Sequence, residues 1–138
     1  MASADLTKIG FIGLGGMGRG LVKNLLLKGA DVTVYDLDQA RMAVAREQGA
    51  AVASNALEVA RSARILAVCI TTAEAVQSLA LGDEGLLAVL PANAVFLDHT
   101  TVSVAHVEKM RAACAAAGVR YAEAPMTRTP VHADRGEV

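Results

Sequence analysis

The sequence predicts an α/β fold, a doubly wound and mainly parallel sheet with helices on both faces. Two observations predict it. Short apolar, β-branched runs alternate along the chain with longer segments whose apolar residues recur at helical spacing. The connections between them are short, which makes each helix a crossover between parallel strands. A third observation, the glycine cluster "GLGGMG" directly after the first run, is the feature most informative about function.

Lys8 to Gly13 is a short apolar run and reads as a buried strand. Gly15 to Lys28 carries Leu21, Val22, Leu25 and Leu26 at helical spacing and stops at Gly29. Residues 31–36, "DVTVYD", are β-branched and read as the second strand; Asp38 then caps a helix running to about Gln48. "AAVA" at 50–53 is a short strand, and Asn55 with Glu58 forms a capping box for a brief helix. "RILAVCI" at 64–70 is the clearest buried strand, and Thr71 with Glu74 signals the next helix start. "NAVFLD" at 93–98 is a strand, Ser103 to Ala117 a helix ended by Gly118, and "VRYAEAP" at 119–125 the last strand. No internal linker, repeat or low-complexity segment is visible.

With 138 residues the chain has the size of one domain, and 54% apolar with 20% charged residues argues for a packed core rather than disorder. A net charge of −1 without a basic run leaves no electrostatic footprint for nucleic acid or an anionic membrane. The two cysteines, Cys69 and Cys114, belong to no CxxC or Cys/His cluster and read as reduced thiols. The polar start, "MASADLTK", has no apolar targeting core, and no stretch approaches a membrane span. A soluble cytoplasmic protein with no metal is the expectation.

Residues 13–18 have the form G-x-G-x-x-G, after a strand and opening a helix, which is the context that gives this pattern meaning. Gly13 makes the tight turn, Gly15 lets a pyrophosphate approach the backbone, and Gly18 lets helix and strand pack closely. Leu14, Gly16 and Met17 complete the turn, and the phosphates would meet the free N–H groups at the helix start. The alternative is a glycine-rich turn with no ligand. Asp36 lies 18 residues after Gly18 and closes the second strand. A carboxylate there accepts the ribose hydroxyls of an adenosine and repels a 2′-phosphate. Leu37, not an arginine, follows it. These features point to a Rossmann-type dinucleotide-binding domain over residues 1–138 that takes NAD in preference to NADP. The alternative for Asp36 is a turn or capping residue.

"GFIGLGGMG" with Asn24-Leu25, "TTAEAVQSLALGDEGLLAVL" at 71–90, "FLDHTTVS" at 96–103 and "EAPMTRTP" at 123–130 occur in this order. Together they resemble the amino-terminal domain of the β-hydroxyacid dehydrogenase family, the 3-hydroxyisobutyrate dehydrogenase and semialdehyde reductase type. The resemblance implies that Cys69 and Ile70 lie beside the cofactor and that Thr101 contacts its nicotinamide side. It implies that Thr127, Arg128 and Thr129, in the substrate loop near 123–130, hold a substrate carboxylate. The family commonly has Ser-Gly-Gly at those three positions. An arginine there suits a substrate with a second acid group, carboxylate or sulfonate, which its fork binds bidentately. The alternative is a surface arginine over a turn. Leu21-Val22 and Thr71 also depart from the family pattern, without touching the glycines.

The resemblance further implies an all-helical second domain carrying a catalytic Lys, and no Lys of this chain matches that Lys. The expectation is therefore a truncated domain, ending at "DRGEV" inside a further strand, without a catalytic residue of its own. It would be inactive alone and form a homo-oligomer when intact. The partner expected is a small hydroxyacid or semialdehyde. The competing function is a non-catalytic dinucleotide-binding module. Weaker constellations are set aside. Asp98 and His99 are adjacent on a strand and point to opposite faces, so Asp98 does not orient His99. His106 and Cys114 lack further metal ligands. His132 reads as solvated, and the charges of "ARMAVARE" at 40–47 as an exposed helix face.

Overall fold

The computed structural model describes residues 8–138. The polar start, and with it the expectation about targeting, lies outside the described residues except for Lys8. Six strands run in the order expected for alternating crossovers. They are β1 (Lys8–Ile12), β2 (Asp31–Tyr35), β3 (Ala51–Val52), β4 (Ile65–Val68), β5 (Val95–Asp98) and β6 (Arg120–Glu123). All pair in parallel in the spatial order β3-β2-β1-β4-β5-β6. The chain first winds outward from β1 to β2 and β3, then returns to β1's other side with β4. The switch point between β1 and β4 is where such sheets open a crevice beyond their carboxyl ends.

The period of two along each strand sorts its side chains onto two cores. Ile12, Leu66, Val68 and Phe96 join Val59 of α3 (Ala56–Ser62), Val76 of α4 (Ala73–Ala80) and Met110 of α5 (Val104–Ala116). Phe11, Val32, Val34 and Ala67 join Val22 of α1 (Gly16–Leu27) and Met42 of α2 (Gln39–Glu47) on the other face. Phe11, Phe96, Leu66 and Val22 are each 1% exposed or less, so a Phe11→Ala or Phe96→Ala truncation falls in the range of about 3–5 kcal/mol.

Asp38 caps α2 as expected, its carboxylate accepting the Ala40 N–H at 2.9 Å. Asn55 caps α3 at 2.9 Å, and Glu58 reaches back to the Ser54 N–H and hydroxyl rather than to Asn55. The hydroxyl and N–H of Ser54 hold the Glu58 carboxyl below its usual range. Two expectations are corrected. The cap of α4 is Thr72, whose hydroxyl accepts the Ala75 N–H at 3.1 Å, and not Thr71. Residues around "DRGEV" do not enter a strand: Pro130–Arg135 form a sixth helix, α6, closed by Gly136 in the left-handed conformation. Pro130 suits a first helical position, where no N–H is needed. His132 is half-buried within this helix, with Nδ1 2.8 Å from the Thr129 hydroxyl.

Helix α6 lies on α1. Asn24 donates to the carbonyls of Ala133 and Asp134 at 3.0 and 3.2 Å, and Lys23 pairs with Asp134 at 2.9 Å. Gly20 makes the contact possible, because a Cβ there would stand 2.6 Å from the α6 backbone. The loop from β6 is thereby tied down at both ends.

Candidate functional site

Every residue expected to bind cofactor or substrate sits at or beyond the carboxyl end of a strand, along one edge of the sheet. Gly13 follows β1, Asp36 follows β2, Cys69 and Ile70 follow β4, Thr101 follows β5, and Thr127, Arg128 and Thr129 follow β6. The glycine turn connects β1 to α1. Gly13 has φ +100°, and a side chain there would collide with the Cys69 carbonyl. A Cβ on Gly18 would collide with the Gly13 carbonyl and press on Phe11. The fold itself therefore requires these two glycines.

Gly15 is different. Its backbone is extended, with φ −66° and ψ −167°, and among the described residues no atom beyond its own chain neighbours lies within 4 Å of where its Cβ would be. No packing contact among the described residues requires glycine at the start of α1. Open space in front of it, at the start of a 12-residue helix whose N-cap residue offers no side-chain cap, forms a cradle that a side chain would fill. Leu14 is buried, Gly16 faces Pro130, and Met17 is half-buried at the start of the helix.

Asp36 is held in place from two sides. Its Oδ2 accepts the Leu14 N–H at 2.6 Å, tying the end of β2 to the glycine turn, and its Oδ1 accepts the Asp38 N–H at 2.8 Å. An ionised carboxylate offers about four acceptor positions, so two remain for hydroxyl donors. Arg41, in the first turn of α2, lies 3.8 Å from Asp36 and 3.4 Å from Asp38. Sequence reading found no arginine directly after Asp36 and did not foresee this one.

These groups line a cleft of about 620 Å³, well inside the range of small-molecule sites. Gly13, Gly15 and Asp36 form one part of its wall, with Cys69, Ile70 and Thr71 beyond. Ala75 and Leu79, one turn apart on α4, supply an apolar side that was not anticipated, and Leu37 stands 88% exposed at the lip. The Cys69 thiol is pushed up to about 11 by burial, with the Asp98 charge adding to it. It stays protonated near neutrality and is part of the wall, not a nucleophile.

Thr101 lies exposed on the turn between β5 and α5. Beneath that turn is a buried polar cluster that sequence reading missed. Asp98 is fully buried and accepts from the Thr100 N–H at 3.0 Å, His106 Nε2 at 2.9 Å and the Tyr121 hydroxyl at 2.9 Å. As expected from strand alternation, Asp98 does not touch His99. The His99 ring stacks on Phe11 with centroids 6.2 Å apart, and its Nδ1 lies 2.9 Å from the Ala124 carbonyl. Burial, followed by Asp98, pushes the Tyr121 phenol well above its usual range. Among the described residues no group of three metal-binding side chains comes together, and no helix is long and apolar enough to cross a membrane.

Thr127, Arg128 and Thr129 are exposed in the loop between β6 and α6. Arg128 has φ +70°, a left-handed conformation that costs a non-glycine residue about 1–2 kcal/mol. The resemblance had put glycine as the common residue there, and this backbone is the one glycine adopts freely.

Comparison with known proteins agrees with this geometry. Residues 8–138 match the family described as the NAD binding domain of 6-phosphogluconate dehydrogenase. The chain is 35% identical over 129 residues to 2-(hydroxymethyl)glutarate dehydrogenase of Eubacterium barkeri, covering 94% of this chain and 43% of that protein. It is 35% identical over 122 residues to 3-hydroxyisobutyrate dehydrogenase of Pseudomonas aeruginosa, covering 88% and 41%. A solved structure of Psf3 in complex with NADP+ and 2-OPP superposes with a TM-score of 0.87 at 34% identity, covering 93% of this chain and 45% of that one. The chain thus spans less than half the length of these relatives. With its switch-point cleft, its glycine turn and a match running from Lys8 to Val138, the chain belongs to the family of the 6-phosphogluconate dehydrogenase NAD-binding domain.

Proposed function

We propose that the chain is the cofactor-binding half of an oxidoreductase that interconverts a small β-hydroxyacid and its semialdehyde, with NAD as the preferred cofactor. The observation that carries the reading is Gly15, a glycine that the fold does not need, at the mouth of a cleft ending at Asp36. In this reading the pyrophosphate rests on the N–H groups at the start of α1, and the adenosine ribose donates to Asp36. The adenine lies between Leu37 at the lip and the apolar side made by Ile70, Ala75 and Leu79. Thr101 stands at the nicotinamide end. When bound, the cofactor accepts or supplies the hydride; the chain's part is to hold and orient it.

Calorimetric titration with both reduced cofactors tests the preference. NADH is expected to bind more tightly than NADPH, because Asp36 repels a 2′-phosphate even with Arg41 nearby. Asp36→Ala is expected to weaken NADH by about 1–3 kcal/mol. Equal or tighter binding of NADPH by the unaltered chain would remove the role given to Asp36.

Arg128, with Thr127 and Thr129, is proposed to receive the substrate acid group. No hydrogen bond or ion pair engages the exposed guanidinium among the described residues, while its backbone is strained. Arg128→Gly should therefore raise stability by up to about 1 kcal/mol in urea unfolding, as the left-handed cost is relieved. It should also weaken binding of a β-hydroxyacid carrying a second acid group to the NAD-saturated chain. A variant that is no more stable and binds that acid unchanged contradicts both halves.

Lys8, Lys23, Lys28 and Lys109 are the chain's lysines, and none lines the cleft. The 138 residues alone are therefore expected to show no turnover of β-hydroxyacids at saturating NAD, since proton transfer by a positioned group is typically worth ~10²–10⁴ in rate. Robust turnover in a coupled assay would favour an unrecognised acid–base group within these residues.

A further inference from the structure

The cluster under the β5–α5 turn extends further than a buried carboxylate requires. The Gln77 side chain, on α4, places Nε2 3.0 Å from His106 Nδ1, and its Oε1 accepts from Lys109 Nζ at 2.7 Å. A lysine ammonium only donates, so it fixes which end of the Gln77 amide faces it. The amide N–H₂ then faces His106 and donates to Nδ1. With Nδ1 an acceptor, the ring proton is on Nε2 and is donated to Asp98 Oδ2. Every bond in the series Lys109, Gln77, His106, Asp98 therefore donates in one direction, toward the buried carboxylate. Reversing one link would set two donors against each other.

The series joins α4, which lines the cleft, to the turn that follows β5 at the same carboxyl edge of the sheet. At one end Gln77 belongs to α4, whose Ala75 and Leu79 form the cleft's apolar side. At the other end Asp98 accepts the Thr100 N–H, next to Thr101. From the opposite side the same turn is fixed by the His99 N–H to the Val68 carbonyl at 2.9 Å and by His99 on Phe11. Asp98 and His106 are 0% and 2% exposed, so slack between these two cannot be taken up by water.

We propose that Gln77, His106 and Asp98 are positioning residues that hold the Thr101 turn in register with the α4 wall, acting on the nicotinamide half of a bound dinucleotide and not on its adenosine half. This rests on the cofactor reading above. NADH and ADP-ribose, which lacks the nicotinamide, separate the two halves. In calorimetric titrations of the 138-residue chain, Gln77→Leu should weaken NADH about tenfold and leave ADP-ribose within twofold. Gln77→Glu keeps an acceptor for Lys109 but has no donor for the His106 Nδ1, so it should weaken NADH as Gln77→Leu does while leaving ADP-ribose within twofold. A loss of both ligands together, unchanged NADH binding, or full NADH affinity in Gln77→Glu would overturn the positioning role.

A chain that, unaltered, binds neither ligand overturns the cofactor reading and this inference with it. A chain that binds both, while Gln77→Leu leaves their ratio unchanged, overturns this inference alone. Nitrogen-15 spectra of histidine-labelled unaltered chain give a readout independent of any variant. His106 should show a protonated Nε2 and a bare Nδ1, and a proton on Nδ1 would break the directional series.

Discussion

Gly15→Val abolishes NADH binding while the chain keeps its fold, its stability changing by no more than about 1 kcal/mol. The valine Cβ enters space that no described residue beyond its chain neighbours occupies within 4 Å, and the backbone there is extended, so the folded chain accommodates it. Its branches fill the position where a phosphate would meet the first-turn N–H groups. Gly18→Ala supplies the contrast within the same motif. Its Cβ runs into the Gly13 carbonyl, and overpacking of backbone against backbone costs about 1–3 kcal/mol. Circular dichroism melts with cofactor titrations separate the two: binding lost without stability at 15, stability lost at 18. Retained binding by Gly15→Val would reduce the cluster to a turn.

Asp98→Ala is expected to cost about 3 kcal/mol or more. The substitution strands three donors at once: the Thr100 N–H, His106 Nε2–H and the Tyr121 hydroxyl. An unsatisfied buried polar group costs about 1–3 kcal/mol, and these three share one site with little access to water. Urea unfolding measures the loss, and a change below about 1 kcal/mol would mean that water replaces the carboxylate freely. The same cluster gives a pH dependence. The Tyr121 phenol is raised in the folded chain, first by burial and then by Asp98. A raised acid favours folding below its unfolded pKa of about 10, and that contribution is lost as pH rises beyond it. Alkaline unfolding above about pH 10 should therefore be milder in Asp98→Asn, where one cause of the shift is gone and burial remains.

The sheet was legible because its signals are local. Each strand is a short apolar run, each crossover starts with a capping residue or glycine, and Asp38 and Asn55 cap as their side chains allow. The glycine motif and Asp36 were legible because spacing alone carries them. What escaped depends on tertiary contact. Helix α6 has six residues, too few for a period, and is held by Gly20 and Asn24 of α1 more than a hundred residues earlier. Thr71 and Thr72 are equivalent as caps in one dimension, and packing selects Thr72, leaving Thr71 on the cleft. Arg41 reaches Asp36 only because the first turn of α2 folds back over the end of β2. The Gln77–His106 pair spans 29 residues and two helices, a juxtaposition that only the sheet order creates. Arg128 carried a family departure in sequence, but its positive φ is visible only in the fold.

The decisive measurement is an NADH titration of the nitrogen-15-labelled 138-residue chain followed by amide chemical shifts. Saturable shifts should concentrate at Gly13–Gly18, around Asp36, at Cys69–Ile70 and on the Thr100–Thr101 turn, the residues lining one edge across the β1–β4 switch point. Shifts scattered away from this edge, or none at cofactor concentrations that saturate ordinary dinucleotide-binding domains, would contradict the assignment of the cleft.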